Sequence, residues 1–146
     1  MTDAVRYEVK DGIAHIVLDD PNQSANTMNE AYTSSMAKAV DAYVADVAAG
    51  TVMGAVISSA KKTFFAGGDL KLMMQATKDD AQALFDNCEE IKATLRKLET
   101  AGKPVASAIN GAALGGGLEI ALATHHRVAA EGKYKIGLPE ATLGLL

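Results

Sequence analysis

Residues 105–123 read VASAINGAALGGGLEIALA. Val105 to Ile109 is a short apolar run of the kind that forms a buried strand, and Asn110-Gly111 ends it. Gly115-Gly116-Gly117 then opens a short apolar helix, read as about Leu118 to Ala123. Glycine lets a backbone come close to a ligand and take conformations closed to other residues. The N–H groups in the first turn of a helix have no intrahelical partner. Strand, glycines and helix in this order therefore make a backbone surface able to face an anion or a developing oxyanion.

Upstream, a second glycine pair has a similar setting. Val52 to Ser58 reads as a buried strand, and the loop from Lys61 to Lys71 after it contains Gly67-Gly68. Further back, the runs Val5 to Val9 and Ile13 to Leu18 flank Asp11-Gly12, which predicts a β-hairpin ended by Asp20-Pro21-Asn22. Asn29 is placed to cap a helix over about Glu30 to Ala48, with Gly50 as its stop. A short apolar turn of Leu70, Leu72, Met73 and Met74 precedes a helix start at Thr77. The long helix after it puts Ala81, Leu84, Phe85, Cys88, Ile91, Leu95 and Leu98 on one face, at steps of three and four, and that face is expected to be core. Gly102-Lys103-Pro104 breaks it, and Arg127 to Ala130 reads as one more strand. Strands alternate with helices, so the fold class is α/β or a related layered fold.

The composition narrows the function. Of 146 residues, 49% are hydrophobic and 22% charged, an ordinary globular balance. A net charge of −4 argues against a nucleic-acid partner, which favours a basic face. Cys88 is the only cysteine, which rules out an intrachain disulfide and a zinc framework of paired Cys-x-x-Cys units. The N-terminus lacks the apolar run of a secretory signal, and no membrane span is expected. The expected location is the cytoplasm.

Two acids stand out. Glu119 sits in the first turn of the glycine-opened helix, and Glu140 follows 21 residues later in Gly137-Leu138-Pro139-Glu140. Two carboxylates beside an oxyanion site suit proton movement next to a polarised carbonyl. Each feature has a plainer reading by itself. Gly67-Gly68 can be a turn, Gly115 to Gly117 a packing point, and the glutamates acids at the positive ends of helices. A dinucleotide-binding turn does not fit, because after Gly115 and Gly117 the third glycine position is Ile120 and Glu119 would repel a pyrophosphate. A phosphate-binding loop does not fit either, since no Gly-Lys-Ser or Gly-Lys-Thr occurs. His125 and His126 are adjacent, poorly placed to share a metal, and read as structural; no metal site is expected.

In combination and in order, these motifs resemble the crotonase family of enoyl-CoA hydratases and isomerases. Phe65-Ala66-Gly67-Gly68-Asp69-Leu70-Lys71 resembles its first oxyanion segment, and Asn110 to Glu119 its second. The opening strand pair and Gly137-Leu138-Pro139-Glu140-Ala141-Thr142-Leu143-Gly144 also fit, so the likeness spans essentially the whole chain. The Gly-Leu-Pro-Glu wording is most similar to the multifunctional fatty-acid oxidation branch, in which a 3-hydroxyacyl-CoA dehydrogenase portion follows on the same chain. Two features depart from the family pattern: Gly68 is often alanine, and the pair His125-His126 stands where Cys-Asp is more usual.

The resemblance implies a crotonase-like ββα-repeat superhelix, incomplete at the C-terminus. Residues 1–146 would be the N-terminal part of one hydratase domain, with no second domain. It implies that the N–H groups of Gly68 and Gly116 hold a thioester oxygen, that Glu119 and Glu140 are the catalytic acids, and that Ala66, Asp69, Leu70, Lys71 and Gly115 border the substrate. Lys71 would reach a CoA phosphate or stand in solvent, and Met73-Met74 would pack internally or line an acyl pocket. The reaction implied is hydration of a trans-2-enoyl-CoA in β-oxidation. It needs no cofactor beyond the CoA thioester substrate, and NAD enters only with a dehydrogenase portion. An oligomer, with a thiolase β subunit as partner, is the implied assembly. The alternatives are a 3,2-enoyl-CoA isomerase, or a non-catalytic CoA-binding or interaction fragment that would not need both glutamates.

Overall fold

The computed structural model describes residues 2–145, apart from the side chains of Lys71 and Leu72. Val5–Lys10 (β1) and Ile13–Leu18 (β2) pair antiparallel, with Val5 opposite Leu18 and Lys10 opposite Ile13. Asp11 (φ 52°) and Gly12 (φ 76°) both lie in the left-handed region, as the tight hairpin turn requires. Along β2, Ala14, Ile16 and Leu18 are buried while the residues between them are half-covered. One face of the sheet is therefore packed.

That face meets Glu30–Ala49 (α1). The Asn29 side chain caps the helix by accepting the Tyr32 N–H at 2.8 Å, and Gly50 closes it at φ 73°. Tyr32, Met36, Ala39, Val40 and Tyr43 form its buried stripe. Gly54–Ser59 (β3) then pairs parallel with β2.

Leu70–Gln75 (α2) follows the first glycine loop. A single 3-10 turn at Lys78–Asp80 leads into Ala81–Glu99 (α3). Asp80 accepts both the N–H and the hydroxyl of Thr77, at 2.8 Å each, and fixes the chain entering the helix. Val105–Ile109 (β4) pairs parallel with β3. Ala113–Leu114 (β5), Gly116–Leu122 (α4), His126–Ala129 (β6) and Ile136–Gly137 (β7) complete the described elements. The main sheet has the order β1-β2-β3-β4-β6, parallel from β2 onward, and β5 pairs with β7 in a second, two-stranded sheet. The class is α/β, as read from the sequence.

The expectation for α3 needs correction. Leu98 is fully buried, and Ile91 and Leu95 are half-buried, but Leu84, Phe85 and Cys88 are exposed, Phe85 by 60%. The cause is the way α3 lies against α1. Ile91, Thr94 and Leu95 pack close to Tyr32, Thr33 and Met36. Toward the start of α3 the two helices diverge around an open groove of about 790 Å³, between Met28–Lys38 on one side and Gln75–Glu90 on the other. Helical periodicity identifies the apolar face, but nothing in the described chain covers its first half. Among the described residues no helix is long and apolar enough to cross a membrane.

Candidate active site

The first glycine segment has no regular secondary structure and is held between two neighbours. On one side Phe64 and Phe65 both donate their N–H groups to Ala112 O at 3.0 Å, and Leu114 N–H donates to Phe65 O at 3.1 Å. On the other side Ala66 N–H donates to Asn26 O at 2.8 Å, and Met28 N–H to Gly67 O at 2.9 Å. The three stretches run parallel, with bridges at Met28–Gly68 and Phe65–Ala113. The two glycine segments expected to cooperate are therefore adjacent. Gly67 Cα lies 3.9 Å from the point where a Cβ on Gly115 would sit.

The second segment turns into α4 at Gly115, whose φ of 53° suits glycine. Its N–H donates to Gly137 O at 2.9 Å, continuing the β5–β7 pairing. That bond draws the Gly137–Glu140 stretch onto the glycine run. As a result the Glu140 carboxylate rests directly against Gly115, where a Cβ would collide with Oε1. Glu119, in the first turn of α4, brings Oε2 to 3.8 Å from the Cβ point of Gly116. Two carboxylates thus border consecutive glycines. Glu140 is half-buried and Glu119 exposed.

Among the described residues, neither the Gly68 nor the Gly116 N–H donates a hydrogen bond. Gly116 is the first residue of α4, where an N–H has no intrahelical acceptor. Met73 Sδ lies 3.1 Å from the Cβ point of Gly68, so this methionine borders the first segment, while Met74 is 87% exposed. Ala66 and Leu70 are exposed and Asp69 is half-buried beside the segment. The Lys71 side chain lies outside the described residues. His125 is structural, as expected: its Nδ1 accepts the Val105 N–H at 3.0 Å and holds the chain after α4 to β4. Arg127 donates to Ala121 O and Thr124 O at the C-terminal end of α4, where a cation also suits the helix dipole. No group of three or more His, Cys, Asp or Glu side chains able to hold a metal occurs among the described residues.

Sequence reasoning missed two residues here. The Met28 side chain contacts the Gly116 backbone position, and Asn26 ties the first segment to the sheet. An asparagine after a proline turn ordinarily signals only another turn residue, so the local pattern carried no hint of burial.

The enoyl-CoA hydratase/isomerase family model matches residues 8–146. The chain belongs to that family. It is 40% identical to a fatty acid oxidation complex subunit alpha from Shewanella loihica, over 92% of this chain and 19% of that protein. A subunit of the same description from Idiomarina loihiensis is 35% identical, over 98% of this chain and 20% of that protein. Among solved structures, an enoyl-CoA hydratase from Geobacillus kaustophilus superposes with a TM-score of 0.87 at 26% identity, over 100% of this chain and 53% of that one. An enoyl-CoA hydratase from Thermoplasma volcanium superposes with a TM-score of 0.80 at 26% identity, over 98% and 54% respectively. The crotonase-like fold that the resemblance implied is thus the fold observed. The chain spans about a fifth of the length of these curated relatives and about half that of the solved hydratases.

Proposed function

We propose that residues 1–146 are the N-terminal part of an enoyl-CoA hydratase domain and carry its reacting groups. The substrate is a trans-2-enoyl-CoA. The Gly68 and Gly116 N–H groups receive the thioester oxygen and stabilise the enolate formed when water adds to C3. Glu119 orients that water and takes its proton. Glu140 delivers a proton to C2, and proton exchange between the two acids and solvent restores the starting state. The thioester carbonyl is the electron sink, so the step needs no metal or redox cofactor. NAD chemistry would belong to a dehydrogenase portion of a longer protein, and the relatives' description as subunits of an oxidation complex supports assembly with at least one other subunit, for which a thiolase is the proposed partner.

The observation that carries this reading is the meeting of both carboxylates at consecutive glycines, Glu140 at Gly115 and Glu119 at Gly116. A protein that only binds CoA has no need of two acids at the glycine run that opens α4. The test uses Glu119→Gln and Glu140→Gln in the intact protein. Gln keeps the size and reach of Glu but exchanges no proton at neutral pH. Each change should lower hydration of a short enoyl-CoA by at least about 10²–10⁴-fold, while a binding titration with the thioester stays nearly unchanged. The double variant should lose less than the product of the two, because residues acting as a unit are not additive. Near-full hydration by Glu140→Gln would leave Glu119 acting alone and favour the isomerase reading.

A further inference from the structure

We propose that Asn26 is a positioning residue for carbonyl activation: it sets the place of the Gly68 N–H by clamping the first glycine segment to the ends of β2 and β3. The proposal rests on reading Gly68 as an oxyanion donor.

Asn26 is 3% exposed, and its amide is engaged at both ends. Oδ1 accepts the Asp20 N–H at 3.1 Å. The two Nδ2 hydrogens are shared among Leu18 O at 3.2 Å, Ser59 Oγ at 3.0 Å and Phe64 O at 3.2 Å. The orientation of the amide is unambiguous, because a backbone N–H requires the oxygen and the carbonyls require the NH₂ group. Leu18 ends β2, Ser59 ends β3, and Phe64 begins the glycine segment. One side chain therefore joins two strand ends to the irregular stretch between Phe64 and Gly68.

The main chain around Asn26 adds to this hold. Its carbonyl accepts the Ala66 N–H at 2.8 Å, and two residues later Met28 N–H donates to Gly67 O at 2.9 Å. Ser59 extends the clamp forward: its Oγ donates to Thr63 O at 2.7 Å and accepts the Lys61 N–H at 3.0 Å. Apart from single bridges to Met28 and Ala113 and the bonds to Ala112 and Leu114, residues 64–68 have no helix or strand ladder of their own, so these tethers share in fixing Gly68. With its amide engaged by protein, Asn26 acts on a substrate only through the segment it holds. An oxyanion donor works because its position is set before the reaction. A displacement of about 1 Å can cost about 10²-fold in rate.

The test separates positioning from simple stabilisation. Butanoyl-CoA carrying ¹³C at the thioester carbonyl binds without being hydrated, and its carbonyl stretch in isotope-edited infrared spectra reports the polarisation it feels. Wild-type intact protein should shift this band to lower frequency. Asn26→Ala should lose much of the shift and lower kcat for but-2-enoyl-CoA by about 10–10²-fold, with KM little changed. Ser59→Ala keeps Asn26 but removes one tether, and should give a smaller change of the same kind; it decides the matter if Asn26→Ala does not fold. A folded variant with a lower melting temperature but the full wild-type shift and kcat would overturn the proposal, leaving Asn26 merely structural. A wild-type protein with no carbonyl shift would instead overturn the oxyanion reading itself, and this proposal with it.

Discussion

At Gly117 even a methyl group is too large. A Cβ there would stand 2.6 Å from Phe65 O and 2.7 Å from Phe65 Cβ. Neither atom can swing aside, because Phe65 is fully buried and its carbonyl already accepts the Leu114 N–H. Alanine is favoured over glycine inside a helix by about 0.8–1.0 kcal/mol, whereas overpacking of a well-filled site costs about 1–3 kcal/mol. The clash should win, since it is with backbone and not with a flexible tip. Gly117→Ala should therefore lower the urea midpoint and, on the proposed mechanism, also reduce hydration, because α4 carries both Gly116 and Glu119. An unchanged or higher midpoint would mean that α4 slides on Phe65 freely. The sequence made this glycine run conspicuous, but it did not separate the roles of its members. Gly115 makes a turn beside Glu140, Gly116 offers a free N–H, and Gly117 permits close packing. Those differences depend on what lies opposite each residue, and the opposing chain is far away in sequence.

Among the elements, α3 shows how far a periodic pattern can be trusted. Its apolar stripe is real, yet burial begins only near Ile91 and is complete only at Leu98. Leu98→Ala should cost about 2–5 kcal/mol, whereas Phe85→Ala should stay within about 0.5 kcal/mol. Chemical denaturation of the two variants checks this, and equal losses would show that the stripe is packed along its whole length. Helix α1 was legible almost to the residue, because Asn29 and Gly50 are local signals with local causes. Its tie to β1 was not legible. Tyr7 Oη donates to Asp46 Oδ2 at 2.5 Å, and Thr51 Oγ1 donates to Asp46 Oδ1 at 2.8 Å. The Tyr7 bond first, and the Thr51 bond after it, hold the Asp46 carboxyl below the usual carboxylate range. A carboxyl with a lowered folded pKa adds stability above its unfolded pKa and loses it as pH falls through the folded value. Asp46→Asn should thus be less stable than wild type at neutral pH. The gap should close in acid, below the range where an ordinary aspartate titrates. Thermal midpoints of both proteins across that range would reveal it, and a gap independent of pH would assign the loss to packing.

For the whole molecule, the same contrast decides what could be read in advance. The hairpin, the caps and the strand–glycine–helix units are each written within about twenty residues, and the α/β class follows from their order. The candidate site draws on the chain positions of Asn26, Met28, Gly68, Gly116 and Glu140, and no local pattern states that these come near one another. What brings them together is the side-by-side pairing of three parallel stretches, a consequence of packing between distant segments. That architecture should also set a gradient of stability. Ile16 and Ile57 lie opposite each other on β2 and β3, both fully buried, with Met36 and Val40 of α1 also in the core. Exposing their amides to solvent requires losing that core, so these amides should exchange only by global unfolding. In Ala81–Glu90 every residue is exposed and the groove toward α1 stands open, so its backbone hydrogen bonds have little burial behind them. Local openings are cheapest where buried apolar contacts are fewest. Native-state hydrogen exchange should find residues 81–90 opening at a small fraction of the global free energy, with protection rising from Ile91 to Leu98. Added denaturant should leave exchange in the first half of α3 nearly unchanged, because that opening exposes little new surface, while it accelerates exchange in β2 and β3. Uniform protection along α3, at the level of β2 and β3, would show that the first half of the helix is covered, either by a second copy of the chain or by a closure of the groove against α1.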